Sequence, residues 1–497
     1  MSKTTPELTI ANITVNKKST EPLYKQLYEG IRLSILNGTI RAGERLPATR
    51  QLASELKISR NIVSMAFEQL MLEGYLTGKV GSGTFVSSNL PDNFIKSKTN
   101  GVVDIPKSNK KGNSSGVKIP FDKVSAWSPA KEDVIPFQNA VPGLDIFPFG
   151  LWTKIANKEY KEIGKHHLAY DDASGYAPLR ESIASYLRSA RGVKCESSQV
   201  LIINGAQQGF SLCSHILTNK GDEVLMEDPG YGGARAAFAN YGARIKPVPV
   251  DEDGVDVKFL IKHHRKAKMI YITPAHQYPM GGTLSLNKRM DLLKWSAKCN
   301  TWIIEDDYDS ELRYTGRPLA ALQGLDQRDK VIYIGTFSKV LFPALRIAYM
   351  VLPTVEMANR FTSVKAVFDR QCPIMEQVII NTFMEEGHFV RHLRRMRLEY
   401  HERQKMLIRA VEKDLAGKLR VEEQAAGMHV IGWLPKNSND REVSEMLLRN
   451  GIYANALSNY TMKYSKGPGL LLGYTAFNKF RVRNYVQKMD RILKDEF

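Results

Sequence analysis

The sequence predicts a multidomain chain: a small α+β module of helices and a hairpin, then a large α/β domain. Three observations lead there. The chain has 497 residues, room for two to four domains at roughly 100–200 residues each. Residues 1–88 carry compact helical patterns and end in a short hairpin. Residues 134–497 alternate β-rich runs (VLIING, EVLMEDP, MIYITPA, WIIEDD, VIYIGTF) with longer helical patterns, the signature of a mostly parallel sheet flanked by helices.

Composition narrows the class. Hydrophobic residues make up 43% and charged residues 25%, as in an ordinary soluble protein. Lysine plus arginine total 70 against 52 acidic residues, a net charge of +18. That excess favours a polyanionic partner, with nucleic acid first. Residues 1–88 hold only 11 basic and 7 acidic side chains, so total charge does not locate the contact face. No apolar run approaches the ~20 residues of a membrane helix, and the N-terminus lacks a signal peptide's apolar core. The four cysteines, Cys195, Cys213, Cys299 and Cys372, form no CxxC pair. Neither a metal site nor a disulfide framework is indicated, and a reducing cytoplasm fits.

In the small module, Leu23, Leu27, Ile31 and Ile35 recur every four residues and give a first helix that stops near Gly38. Leu52, Ala53 and Leu56 form the inner face of a second, short helix. Ile58 and Ser59 make a turn, with Ser59 as N-cap of a third helix that buries Val63, Ala66, Phe67 and Leu70. The pair is a helix-turn-helix, and the start of its second helix reads the major groove. Arg60, Asn61 and Ser64 lie there; arginine pairs with guanine and asparagine with adenine. Residues 75–77 and 84–86 flank GKVGSG as a hairpin wing, whose glycines and Lys79 suit a phosphate backbone.

Residues 89–133 are rich in Lys, Ser, Asn and Gly and read as a flexible linker. In the large domain, Lys339 follows a strand, and a lysine so placed forms a Schiff base with an aldehyde cofactor. Asp306 ends another strand 33 residues earlier. Pyridoxal 5'-phosphate needs such a carboxylate at its ring nitrogen, and Tyr308 can meet its phenolic oxygen. Gly205, Ala206 and Gln207 open a helix whose amides suit the phosphate. Thr336, Ser338 and Arg346 add donors, and Tyr231 is placed to stack on the ring.

These motifs carry two resemblances. The stretch from LPATR to GTFV resembles the winged-helix domain of GntR-family transcription regulators over roughly 22–88. That resemblance implies DNA contacts at Arg45, Arg50 and Arg60, and at the wing through Gly81, Gly83 and Thr84, with Ser59 beside them. NGAQQG, DPGY, DDYD and SKxxxPxxR resemble fold-type I, class I/II aminotransferases over 134–497. That resemblance implies Lys339 as the cofactor lysine, Asp306 as the pyridinium partner, Arg346 on the phosphate and Tyr231 against the ring. It also implies that Tyr170 reaches the neighbouring subunit's phosphate, which puts the site at a dimer interface. Two departures stand out. Tyr278 replaces the asparagine of the usual Asn-Pro, leaving that contact to the phenolic oxygen open. Leu471 stands where an arginine grips a substrate carboxylate.

The whole is similar to the MocR subgroup of GntR regulators. The resemblance implies a pyridoxal-phosphate-dependent regulator that binds an operator, senses an amine, amino acid or B6 vitamer, and forms a head-to-tail homodimer. Two other readings stay open: a working aminotransferase with an accessory DNA-binding domain, and a regulator whose large domain is a cofactor-free scaffold. The missing arginine counts against the first, and the Lys339–Asp306–Arg346 set against the second. The basic stretch 387–405, with His388 and His392 spaced i, i+4, reads as a solvated helix face laced with salt bridges.

Overall fold

Leu27, Ile31 and Ile35 are buried along one face of helix α1 (Leu23–Leu36), which ends two residues before Gly38 turns the chain at φ +75°. Its stripe packs on α2 (Thr49–Glu55) and α3 (Arg60–Leu72), where Leu52, Ala53, Val63, Ala66, Phe67 and Leu70 complete the core. Strands β1 (Leu76–Lys79) and β2 (Gly83–Val86) pair antiparallel in the register Leu76–Val86, Thr77–Phe85 and Gly78–Thr84. Ser59 occupies the N-cap of α3 but makes no side-chain cap bond; the Ile62 amide donates to the Ser59 main-chain carbonyl instead, at 3.1 Å.

The computed structural model describes residues 15–17, 19, 21–79, 83–88, 135–315, 319–476 and 478–494. The chain divides into two compact units, Met1–Gly116 and Val117–Phe497. The stretch read as a linker, the wing residue Gly81 and the side chain of Lys79 lie outside the described residues.

The second unit opens with α4 (Phe149–Glu162) and α5 (Ala177–Arg191). Strands and helices then alternate: β3 (Val200–Ile203), α6 (Ala206–Leu217), β4 (Glu223–Asp228), α7 (Gly232–Asn240), β5 (Arg244–Asp251), β6 (Gly254–Val255), α8 (Val257–His263), β7 (Met269–Ile272), α9 (Leu286–Cys299), β8 (Trp302–Asp307), α10 (Leu322–Leu325), β9 (Val331–Thr336) and β10 (Ala348–Val351). These strands form one eight-stranded sheet in the order β3-β10-β9-β8-β7-β4-β5-β6. Strands β9, β8, β7, β4 and β5 are parallel. β10 is antiparallel to both neighbours, so the sheet is mixed. The cause is the short connection after β9: a parallel return needs a crossover of a dozen or more residues, and residues 337–347 instead make a tight loop. That loop carries Lys339 and Arg346.

The chain closes with α11 (Val355–Phe368), α12 (Ile374–Glu385), α13 (His388–Asp414), β11 (Arg420–Val421), β12 (His429–Trp433), α14 (Asp440–Arg449), β13 (Asn455–Ala456), β14 (Gly469–Gly473) and α15 (Val482–Leu493). Its last strands form a second sheet, β11-β12-β14-β13. Helix α13 corrects the reading of the basic stretch. Phe389, His392, Leu393, Met396, Tyr400 and Arg403 form a buried face. His392 lies against Phe147 and Phe383, with ring centroids at 5.4 and 6.4 Å, and burial pushes its pKa down to about 4. Arg403 is buried against Asp145 at 2.7 Å.

Candidate functional site

The carboxyl ends of β3, β7, β8 and β9 lie at the same edge of the sheet, with the start of antiparallel β10 between β3 and β9, and such an edge is where open α/β sheets bind ligands. Gly205 follows β3 and caps α6. The amides of Ala206 and Gln207 stand at the free start of that helix, where anions bind. Gly205 adopts φ +92°, and a Cβ there would lie 2.6 Å from Nη2 of Arg346. Arg346 donates to the Asn204 carbonyl at 2.9 Å. Helix start and guanidinium thus share one small cradle, open only because residue 205 has no side chain.

A buried network holds this cradle from behind. Asn204 Nδ2 and Gln208 Nε2 both donate to Oδ2 of Asp369, at 2.5 and 2.7 Å. The fully buried Lys365 pairs with Oδ1 of Asp369 at 3.0 Å. Sequence reasoning missed all four residues. Asp369 lies 165 positions from Asn204, and no local pattern links them.

Lys339 is half-buried, and its Nζ donates to the Ala140 carbonyl at 2.9 Å. Loss of hydration pulls its pKa down to about 8, against the opposing charges of Asp306 and Asp309. Asp306 is buried, accepts from the Tyr271 hydroxyl at 2.5 Å, and forms no ion pair among the described residues. Burial pushes its pKa up to about 7. A carboxylate in this state lacks a counter-cation, which a ring N–H⁺ would supply. Thr336 ends β9, and its Oγ1 accepts from the Ser338 amide at 3.1 Å.

Aromatic rings wall the space beside these groups. Tyr231 accepts at its hydroxyl from Gln207 at 3.2 Å, which ties it to the cradle. Tyr278 packs edge-on against Tyr231, Tyr308 and Tyr460, with centroids at 5.8, 5.7 and 5.4 Å. Asn139 donates to the Tyr278 hydroxyl at 2.9 Å, so this chain pairs a tyrosine with an asparagine from a remote segment. Tyr308 and Asp309 both approach Nδ1 of His276, at 3.0 and 2.8 Å. Neither His276 nor Asp309 was singled out from sequence. Leu471 is buried in β14 and clusters with Tyr278, Ile431 and Leu457. Tyr170 stands apart from these groups: it is 81% exposed, under the Arg370 guanidinium at 4.9 Å.

The first unit presents a second candidate face. Arg45, Arg50, Ser59, Arg60, Asn61 and Gly83 are exposed, and Ser64 and Thr84 are half-buried. Arg45 lies over the wing: a Cβ on Gly83 would meet its Nε at 2.9 Å. None of Arg45, Arg50 and Arg60 forms an ion pair among the described residues. Their charges remain available to a polyanion.

Known proteins share both halves. Residues 23–86 match bacterial regulatory proteins of the gntR family, and residues 146–488 match aminotransferase class I and II. The chain is 33% identical over 477 residues to a probable rhizopine catabolism regulatory protein, MocR, of Rhizobium meliloti, covering 96% of this chain and 95% of that one. It is 29% identical to the pyridoxine biosynthesis transcriptional regulator PdxR of Corynebacterium glutamicum, over 95% and 96% of the two chains. Among solved structures, the α-aminoadipate aminotransferase LysN of Thermus thermophilus, complexed with N-(5'-phosphopyridoxyl)-L-leucine, covers 73% of this chain and 92% of its own, with a TM-score of 0.67 at 28% identity.

Proposed function

Because the chain belongs to the gntR family of bacterial regulators, in its MocR branch with an aminotransferase class I and II domain, we propose that it is a cytoplasmic, pyridoxal-phosphate-dependent transcription regulator. The observation that carries this is the cradle of Gly205 and Arg346 close to Lys339 and Asp306, in the same chain as an exposed, unpaired recognition face. The residues fit the cofactor. Ala206, Gln207, Thr336, Ser338 and Arg346 would hold its phosphate, Asp306 its ring nitrogen, Tyr231 its face and Tyr308 its phenolic oxygen. When bound, pyridoxal phosphate supplies an aldehyde that condenses with primary amines.

The chain's own groups then define a sensor. The lowered pKa of Lys339 keeps part of its amine neutral near pH 7–8. Arg60 and Asn61 would read bases, while Arg45, Arg50, Lys79 and the wing contact phosphates. Lys339 would hold the cofactor's aldehyde, an amine, amino acid or B6 vitamer would compete with it for that site, and an operator-bound homodimer, head-to-tail with Tyr170 completing the neighbour's site, would respond. Relatives named as regulators of rhizopine catabolism and pyridoxine biosynthesis support this over the second reading, an active aminotransferase.

The test loads full-length protein with pyridoxal phosphate and follows its visible absorption as amines, amino acids and vitamers are added. Binding to an operator selected from random duplexes is measured alongside. A visible band, and one ligand that shifts both band and operator affinity, is expected. Steady transamination at ordinary enzyme rates would favour the second reading. No band after loading would leave a DNA-binding protein on a cofactor-free scaffold.

A further inference from the structure

Arg370 is an exposed arginine whose backbone sits at φ +60°, in the left-handed region. A side chain there is strained, and such strain persists only where the surroundings over-determine the backbone. Here they act from both sides. On one side, Asp369 accepts from Asn204 and Gln208 of the cradle, at 2.5 and 2.7 Å. The buried Lys365 pairs with the same carboxylate at 3.0 Å and donates to the Arg370 carbonyl at 3.4 Å. On the other side, Gln371 accepts from the Asp171 amide at 2.5 Å and donates to the Ala169 carbonyl at 3.4 Å. Cys372 Sγ closes the strip on the Ile202 carbonyl at 3.6 Å. The strip 369–372 thus ties the stretch around Tyr170 to the cradle and the end of β3.

What the strained residue presents is a charge. Its guanidinium lies over the Tyr170 ring, 4.9 Å from the centroid, and forms no ion pair among the described residues. The pair offers a phenol hydroxyl and five N–H donors from one point of the surface. The surface beside it is apolar. Leu168, Val367 and Phe368, close to the pair in sequence, are exposed, Val367 at 88%. A second copy of this chain seated on the pair would cover such side chains. Resting on the cofactor reading above and the homodimer proposed with it, we propose that Arg370 is a phosphate-binding residue delivered in trans: beside Tyr170, it donates to the pyridoxal phosphate held by the neighbouring subunit.

The charges match. A phosphate monoester carries close to two negative charges near pH 7. Within one subunit, Arg346 is the guanidinium at the cradle, beside the free amides of α6. A second guanidinium from the partner brings the cationic charge to two, in the fork geometry that suits phosphate oxygens. The anion site is then complete only in the pair of subunits. By linkage, the cofactor phosphate strengthens subunit pairing as much as pairing strengthens cofactor binding. The left-handed backbone at Arg370 is the conformational cost of aiming this charge outward.

The experiment titrates stripped full-length protein with pyridoxal phosphate, and separately with pyridoxal, by visible absorption. Arg370→Ala is expected to bind pyridoxal phosphate roughly 10- to 100-fold more weakly, the loss of a hydrogen bond to a charged group, and pyridoxal as wild type does. Arg370→Lys keeps the charge and is expected to recover part of that loss. Arg370→Gly occupies φ +60° freely. It is expected to lose the same affinity while the apoprotein melts no lower than wild type, a combination that a merely structural arginine does not give. Mixed dimers of two differently tagged chains then show where the charge acts. With Lys339→Ala in one subunit, the band reports the intact lysine of the other. Arg370→Ala in the Lys339→Ala subunit is expected to weaken binding at that lysine; Arg370→Ala in the subunit with the intact lysine is expected to leave it unchanged. The reverse pattern, equal losses for both compounds, or affinity for pyridoxal phosphate within twofold of wild type in Arg370→Ala would overturn the proposal. A wild-type protein with no visible band, or one that sediments as a monomer when loaded, would overturn the reading beneath and, with it, this inference; a normal band in a dimer with unmoved variants overturns the inference alone.

Discussion

Gly205→Ala is the sharpest test of the cradle. Gly205 has φ +92° and ψ 159°, a region that glycine alone occupies freely, where a side chain costs of order 1–3 kcal/mol. The new Cβ would also lie 2.6, 3.0 and 3.2 Å from Nη2, Cζ and Nη1 of Arg346. The guanidinium must retreat, giving up its bond to the Asn204 carbonyl and its place over the helix start. A lost hydrogen bond to a charged group is about 1.5–3 kcal/mol. At 1.4 kcal/mol per tenfold, that is roughly 10- to 150-fold weaker binding of the phosphate. The assay titrates stripped full-length protein with pyridoxal phosphate, and separately with pyridoxal, by visible absorption. Pyridoxal lacks the phosphate and should bind the variant as it binds wild type. Backbone strain would register separately, as a lower melting temperature of the apoprotein. Affinity for pyridoxal phosphate within twofold of wild type would refute the argument, as would an equal loss for both compounds.

Three further outcomes follow from the same geometry. The neutral amine of Lys339 is the attacking form, and its pKa is lowered to about 8, so the rate of cofactor loading should rise through pH 8 and then level; a rate still climbing near pH 10, or a visible band in Lys339→Ala, would contradict this. Arg60→Ala should weaken operator binding by roughly 1–3 kcal/mol while sparing unrelated DNA; an equal loss on every sequence would show that Arg60 touches only phosphate. Leu471→Arg should give the visible band a response to α-amino acids that exceeds its response to the matching amines without carboxylates, at some cost in thermal stability from a buried charge; identical responses would mean that position 471 does not face the ligand.

Local chemistry was legible in the sequence. The helices of the first unit follow from the four-residue recurrence of Leu27, Ile31 and Ile35, and the wing from its glycines. Lys339 and Arg346 share one loop, so a single motif contains both. What stayed hidden depends on partners far apart in the chain. Asn139 reaches Tyr278 across 139 positions and Asp369 reaches Asn204 across 165, and neither has a periodicity to announce it. His276 hid inside TPAHQYP because its meaning comes from Asp309 on another strand end. His392 misled for the opposite reason: the basic side chains around it made the helix look solvated, whereas the 3.6-residue period turns this ring inward with Phe389 and Met396.

The same geometry bears on why such a pocket suits sensing. Turnover demands that a substrate be held rigidly through several proton transfers, and Leu471 provides no clamp for a carboxylate. Sensing demands only that a ligand bind two arrangements unequally. Moving a population from 1:99 to 99:1 takes about 5.5 kcal/mol of difference in affinity between the two arrangements. Nζ of Lys339 donates to the Ala140 carbonyl at 2.9 Å, and Ala140 holds a left-handed φ of +63°. Its neighbour Asn139 fixes Tyr278 over the pocket. This segment follows directly on the stretch read as a linker. The amine of Lys339 is therefore tied to the piece of the large unit nearest, in sequence, to the first unit.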